Sequence, residues 1–303
     1  MEQSEQKLEA VQRIKSDITK NFPDFEIRTI EKLGEGWMSE AFMVNEEWVF
    51  RFPKAKAGAE DLQKEIKILP LLAKHVTLTI PQFEYVGEQQ SGLPFVGYKS
   101  LPGEILGEAT VPTLPKEEQE VIARQLAQFI DEVSAFPSEE AKQFGVTVND
   151  HRKDYTDTFE EVTQKVFPLI DEDMKRYISS RFETYLGNPE NFDYTPTLTH
   201  ADLSPDHFVA NPETHELTGI IDFGDLIIGD PDYEYSYLFM DCGEDFTRRV
   251  MELRGETNIE ERLKKVSIFV TVDHIGTLLE GMRRVKQDWI GDSIAIIRKE
   301  MKK

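Results

Sequence analysis

Two short segments limit this chain most tightly: Thr199-His200-Ala201-Asp202-Leu203-Ser204-Pro205-Asp206-His207 and, beyond a hairpin-like stretch, Gly219-Ile220-Ile221-Asp222-Phe223-Gly224-Asp225. Asp222 stands fifteen positions after His207. Phosphoryl transfer to an alcohol needs a carboxylate to orient and deprotonate the hydroxyl, metal ions on the phosphates, and cations for the charge. A loop of the form H-x-D-x-x-x-x-H offers the carboxylate, Asp202, and a metal ligand five residues on, His207. The second segment ends a β-branched run with Asp222 poised on a turn, where a carboxylate suits Mg2+. Phe223-Gly224 then lets the chain bend sharply while one aromatic ring anchors in the core. Each piece alone has an ordinary reading, since an aspartate in a turn is usually a cap or an Asx-turn residue. Both together, at this spacing, point to a kinase.

The hydrophobic period changes along the chain. Residues 3–20 place Leu8, Val11, Ile14 and Ile18 at helical spacing, which predicts an amphipathic helix. Strands are expected at 26–32, 40–45 and 48–52, a helix at 59–72 with Leu62, Ile66 and Leu69 on one face, and strands at 82–87 and 95–100. After Pro102-Gly103 the pattern turns helical, at 117–136, 156–186 and 258–303, around a β-like island at 197–222. The expected class is α+β: a strand-rich N-lobe at 1–101, with a five-stranded sheet plus helices, and a mainly helical C-lobe at 102–303.

Composition narrows the partners. The 303 residues include 57 acids and 35 Lys plus Arg, a net charge of −22 that argues against nucleic acid or an anionic membrane as a partner. The same excess either keeps the protein soluble or attracts a cationic ligand. The densest apolar stretch, 267–272, is far shorter than the roughly 20 residues a bilayer span needs. A single cysteine, Cys242, cannot form an internal disulfide, and the first residues have no apolar leader-like core, so the expected location is cytoplasmic.

On these residues the chain resembles the aminoglycoside O-phosphotransferases, and within them the 2''-phosphotransferase branch. The loop of that branch reads H-x-D-x-S-x-D-H ahead of G-I-I-D-F-G-D, and the resemblance runs on through Asp230-Pro231-Asp232. Macrolide phosphotransferases share the first loop but carry D-W-S for D-F-G, and match less well. The resemblance implies a bilobal protein-kinase-like fold, ATP or GTP as phosphate donor, Mg2+, and a small cationic antibiotic as acceptor. It casts Asp202 as the catalytic base, His207 and Asp222 as the Mg2+ ligands, and His200 as structural. Gly34, Gly36 and Ser39, in L-G-E-G-W-M-S, fall in the nucleotide-covering loop, where glycines let backbone N–H groups approach phosphates. Glu65 matches the helix glutamate that pairs with a strand lysine in the family. Here the sequence departs, because the matching residue is Arg51, bulkier than lysine but able to bridge a carboxylate and phosphates. Lys54 is the alternative; three residues along an extended strand, it falls on the opposite face. Tyr98 takes the gatekeeper position, and the backbone from Lys99 to Leu101 is implied to hold the purine edge.

The acceptor side departs further. In the 2''-branch two glutamates contact the drug, and their positions here are Met240 and Gly243, with Asp241, Glu244 and Asp245 beside them. Ser204 and Asp206 match family residues near the acceptor hydroxyl, and Asp273 and Glu280 are further acids able to close the pocket. Three readings therefore stand: an aminoglycoside kinase, a same-fold kinase for a macrolide or another hydroxylated small molecule, and a binding-only pseudokinase whose one support is Arg51.

Overall fold

A computed structural model describes residues 2–107 and 109–302, with side chains from residue 9 onward; the Leu8 side chain therefore lies outside the described residues. In chain order the elements are α1 (Glu2–Asn21), β1 (Ile30–Glu35), β2 (Ser39–Val44), β3 (Trp48–Pro53), α2 (Lys56–Leu72), β4 (Phe83–Glu88), β5 (Pro94–Lys99), β6 (Glu104–Ile105), α3 (Lys116–Ser134), α4 (Ser138–Gln143), β7 (Thr147–Val148), α5 (His151–Lys165), α6 (Glu172–Gly187), β8 (Thr197–Thr199), β9 (Phe208–Ala210), β10 (Leu217–Ile220), β11 (Ile227–Gly229), α7 (Glu244–Leu253), α8 (Ile259–Arg284) and α9 (Gln287–Glu300). They fall into two compact units, Met1–Ile105 with Phe208–Asp225, and Leu106–His207 with Leu226–Lys303.

The first unit is built on an antiparallel five-stranded sheet of order β1-β2-β3-β5-β4. Alternation along β3 sends Trp48, Phe50 and Phe52 to one face, where they meet Phe42, Val44 and Phe95 under Ile14 and Ile18 of α1. Ile14 and Ile18 are fully buried, and each such side chain contributes about 1.5–3 kcal/mol of transfer free energy. The same alternation turns Val49 and Arg51 the other way. The strand expected at 26–32 begins later, at Ile30, because the Asn45 side chain takes the Arg28 and Thr29 N–H groups and holds that stretch outside the ladder. A small sheet of β10, β9 and β6 completes the unit. Gly103 there has φ +129°, and an added Cβ would lie 2.4 Å from the Ala210 carbonyl oxygen, so only glycine fits.

The second unit is helical around Val162, Ile178, Phe182, Tyr185, Phe269 and Ile275, with one small sheet of order β7-β11-β8. The helix expected over 156–186 is two helices. A 3-10 turn at Phe167–Leu169, carrying Pro168, ends the first, and the Asp171 carboxylate caps the second by accepting the Met174 N–H at 2.9 Å. Residues 258–303, where the sequence pattern allows two or more helices, hold α8 and α9, parted at Val285 in a left-handed conformation. Among the described residues no helix is long and apolar enough to cross a membrane.

Candidate active site

In the first unit, β3 and α2 deliver opposite charges to one point. Arg51 Nη1 and Nη2 donate to the two Glu65 oxygens at 2.8 and 3.2 Å, and Nη2 also donates to Asp222 Oδ1 at 3.1 Å. Glu65 is fully buried, so its carboxyl is pushed up to about 7 by desolvation against the pull of Arg51. Burial also opposes the Arg51 charge, but Glu65 and Asp222 more than offset it and hold the guanidinium protonated. A fork that engages both glutamate oxygens requires a carboxylate, and it is a geometry a lysine cannot make. Of the two candidates named from sequence, Arg51 meets Glu65 while Lys54 does not. Asp222, two residues past the end of β10, is left-handed, at φ 62°, an uncommon state outside glycine. Lys64, next to Glu65, donates to the Gly224 carbonyl and so ties α2 to the Asp222-Phe223-Gly224 segment.

The glycine-rich segment joins β1 to β2, and the Gly36 N–H closes it on the Ser39 carbonyl at 3.0 Å. That N–H is thus spent within the turn, leaving the loop's outline rather than this one donor to shape a site. Tyr98 is buried, packed with Val49, Leu101 and Val209 and with its ring 5.7 Å from Phe83. Burial pushes its phenol up to about 12, so the ring stays neutral. The Lys99 side chain reaches outward to Glu47, at 3.4 Å.

In the second unit the segment after β8 carries Asp202 and His207. His207 Nδ1 lies 2.9 Å from the Asp202 backbone carbonyl and 3.4 Å from its carboxylate. A carbonyl only accepts, so Nδ1 holds the proton and the ring's lone pair sits on Nε2. Ser204 is buried and Asp206 exposed, with the Asp206 N–H 3.4 Å from Ser204 Oγ. Ala201 is left-handed, at φ 66°, and its N–H is taken by Glu234 Oε2 at 3.0 Å. Glu234 is 2% exposed, and burial pushes it up to about 7 although the Ala201 and His200 N–H groups favour the carboxylate. It is placed there by Asp230-Pro231-Asp232, where Asp230 caps the turn and pairs with Lys265 at 2.5 Å while Asp232 takes Arg262 at 2.6 Å.

Sequence reasoning passed over Glu234. Its replacement by alanine strands a buried N–H beside the Asp202 segment and should cost about 1–3 kcal/mol of stability. Glu234→Gln keeps an acceptor and should retain most of both stability and turnover. Its carboxyl ordinarily titrates near 4.5, so between there and about 7 the folded chain binds an extra proton and this contribution to stability falls as pH rises. Urea denaturation from pH 4.5 to 8 checks the sign, and the glutamine variant should show a flatter profile across that window.

The acids named for the acceptor have different surroundings. Asp241 is half-buried beside the buried Cys242, in a π-helical turn. Glu244 and Asp245 are exposed in the first turn of α7, where a helix end favours negative charge, and Glu244 accepts from Arg248 at 2.7 Å. Glu280 is held by Arg283 and Arg284 of its own helix. Asp273 instead accepts the Tyr233 hydroxyl at 3.0 Å, and burial, with Asp202 adding repulsion, pushes it up to about 7.

A family model for the phosphotransferase enzyme family matches residues 29–263. The chain belongs to that family. This phosphotransferase is 47% identical to the protein in a structure of the GDP and kanamycin complex of APH(2")-IIia, which superposes with a TM-score of 0.92 over 95% of this chain and 98% of that one. It is 46% identical, with a TM-score of 0.93 over 97% and 98%, to wild-type aminoglycoside 2'-phosphotransferase-IIIa in a GDP complex. A macrolide 2'-phosphotransferase type I, at 15% identity and a TM-score of 0.75 over 95% of this chain and 96% of that one, shares the fold.

Proposed function

We propose that this phosphotransferase transfers the terminal phosphoryl group of GTP or ATP to a hydroxyl of an aminoglycoside in the cytoplasm. The observation that carries it is Asp202, whose segment is fixed by Glu234 on one side and His207 on the other, in a chain 47% identical to one seen with GDP and kanamycin. Asp202 orients the acceptor hydroxyl and takes its proton. Arg51, anchored on Glu65, is a fixed cation for the phosphates. With the strand arginine making the expected pair and Asp202, His207 and Asp222 all present, nothing supports a binding-only role.

The residues also fit magnesium. Among the described residues no three His, Cys, Asp or Glu side chains gather as a metal group. Magnesium does not need one, since it binds through one or two protein ligands and completes its shell with phosphates and water. Asp222, by its carboxylate, and His207, by the Nε2 lone pair its tautomer provides, would hold the ion. Bound there, it would neutralise charge on the β- and γ-phosphates.

Steady-state kinetics with kanamycin, gentamicin and a macrolide, with GTP and ATP in turn, test the proposal; turnover of the macrolide but no aminoglycoside would refute it. The acids refine the test. Asp241→Asn should raise the aminoglycoside KM about tenfold or more, as expected for a lost charge-assisted contact in a half-buried setting. Glu244→Gln should change it little, because that side chain is exposed and already shared with Arg248. Both should leave the nucleotide KM near wild type. A silent Asp241→Asn would make this acidic stretch a solvated face.

A further inference from the structure

Lys54, which has no part in the Arg51–Glu65 pair, contacts the glycine-rich segment at three points. Its Nζ donates to the Gly36 carbonyl oxygen at 2.6 Å and to Glu35 Oε1 at 3.0 Å, and its backbone N–H donates to the Met38 carbonyl at 2.8 Å. Glu35 is held from the other side by Lys32 at 2.7 Å, and these two lysines keep its carboxyl low, near 2. Lys32 reaches on to Glu40 at 2.9 Å, and Arg13 of α1 takes the other Glu40 oxygen. Charges thus alternate from α1 across β2 and β1 into the loop and end on Lys54. Behind the loop, α2 leaves no room for retreat: a Cβ on Gly58 would lie 2.7 Å from the Met38 carbonyl oxygen. At the tip, Trp37 is 50% exposed. Together with the turn's own bond from the Gly36 N–H to the Ser39 carbonyl, polar contacts to Lys54 hold the outline of this segment.

We propose that Lys54 is a positioning residue for the nucleotide: it latches the loop of Glu35 to Met38 in the shape that admits and retains the triphosphate. This rests on the reading that the loop covers the nucleotide. Lys54 acts through the loop, not by touching phosphate, and the two modes give opposite results when Glu35 is neutralised. A latch loses an anchor and weakens. A lysine serving the phosphates is released and strengthens.

The experiment measures KM for GTP and for kanamycin, and the dissociation rate of a fluorescent GDP analogue, in Lys54→Met, Lys54→Arg, Glu35→Gln and Gly36→Val. Lys54→Met should raise the GTP KM and speed dissociation by about three- to tenfold, the worth of one charge-assisted bond at a partly exposed site. The kanamycin KM should stay within about twofold, a split that general destabilisation does not produce. Lys54→Arg should recover most of the loss, and Glu35→Gln should show a smaller change of the same sign. Wild-type nucleotide parameters in Lys54→Met, equal rises in both KM values, or tighter nucleotide binding in Glu35→Gln would each overturn the latch. Gly36→Val separates the two layers. If it raises the GTP KM while Lys54→Met is silent, the latch alone fails; if it too is silent, the loop does not cover the nucleotide and both readings fall.

Discussion

Asp202→Asn is expected to lower turnover by on the order of 10²–10⁴, the usual worth of a positioned base, with the fold and both KM values near wild type. The geometry makes the substitution a clean one. His207 is held by the Asp202 backbone carbonyl, which the change does not touch, and the left-handed Ala201 keeps its bond to Glu234. The side chain is nearly isosteric and its amide oxygen still accepts a hydrogen bond, so the acceptor hydroxyl can be oriented but its proton has nowhere to go. Phosphoryl transfer depends heavily on positioning, which favours the lower part of the range. Single-turnover kinetics at saturating GTP and kanamycin isolate the chemical step. A folded Asp202→Asn protein with near-normal single-turnover rates would remove Asp202 from the role of base.

What could be read from the sequence followed from how local its signal was. Arg51 and Glu65 were legible through the family resemblance, which supplied both positions, and the strand period only decided between Arg51 and Lys54. The same period put Lys54 on the far side from Arg51, but nothing in it showed that the side chain folds back onto Gly36, since that depends on where the loop returns. Glu234 was illegible for a related reason. Its partner Ala201 lies 33 residues away, and the only local sign was the Asp230-Pro231-Asp232 turn, whose acids turn out to hold Lys265 and Arg262. The long apolar pattern over 156–186 concealed a break that depends on Pro168 and the Asp171 cap rather than on periodicity. Asp241, Glu244 and Asp245 look equivalent as letters, yet one is half-buried and two are exposed, because exposure is decided by the packing of a π-helical turn against its neighbours.

Asp222→Ala should lower kcat/KM for the nucleotide by about 10²–10³ or more, since it removes the carboxylate that would hold the magnesium ion against the phosphates. The fold should survive it. Arg51 keeps both bonds to Glu65, and the Asp222 side chain is 45% exposed, so its loss leaves no buried cation unpaired. Glu65→Ala is the instructive contrast. It strips the buried guanidinium of its two-pronged partner and leaves only Asp222, which should cost about 3–5 kcal/mol of stability as well as activity. Thermal denaturation therefore tells the two apart: a small change in Tm for Asp222→Ala, a large fall for Glu65→Ala. Asp222→Asn addresses the remaining ambiguity, because asparagine tolerates the left-handed backbone that alanine resists. If asparagine restored wild-type kcat/KM, the carboxylate charge would be irrelevant and Asp222 would matter only for the turn. If the asparagine variant stays impaired and needs far more Mg2+ to reach half-maximal rate, the charge is acting on the ion. His207→Asn should be the mildest of the set, since an amide oxygen suits magnesium at least as well as an imidazole nitrogen. Loss in His207→Asn equal to that in Asp222→Ala would instead assign the histidine to holding the Asp202 carbonyl, the bond seen at 2.9 Å.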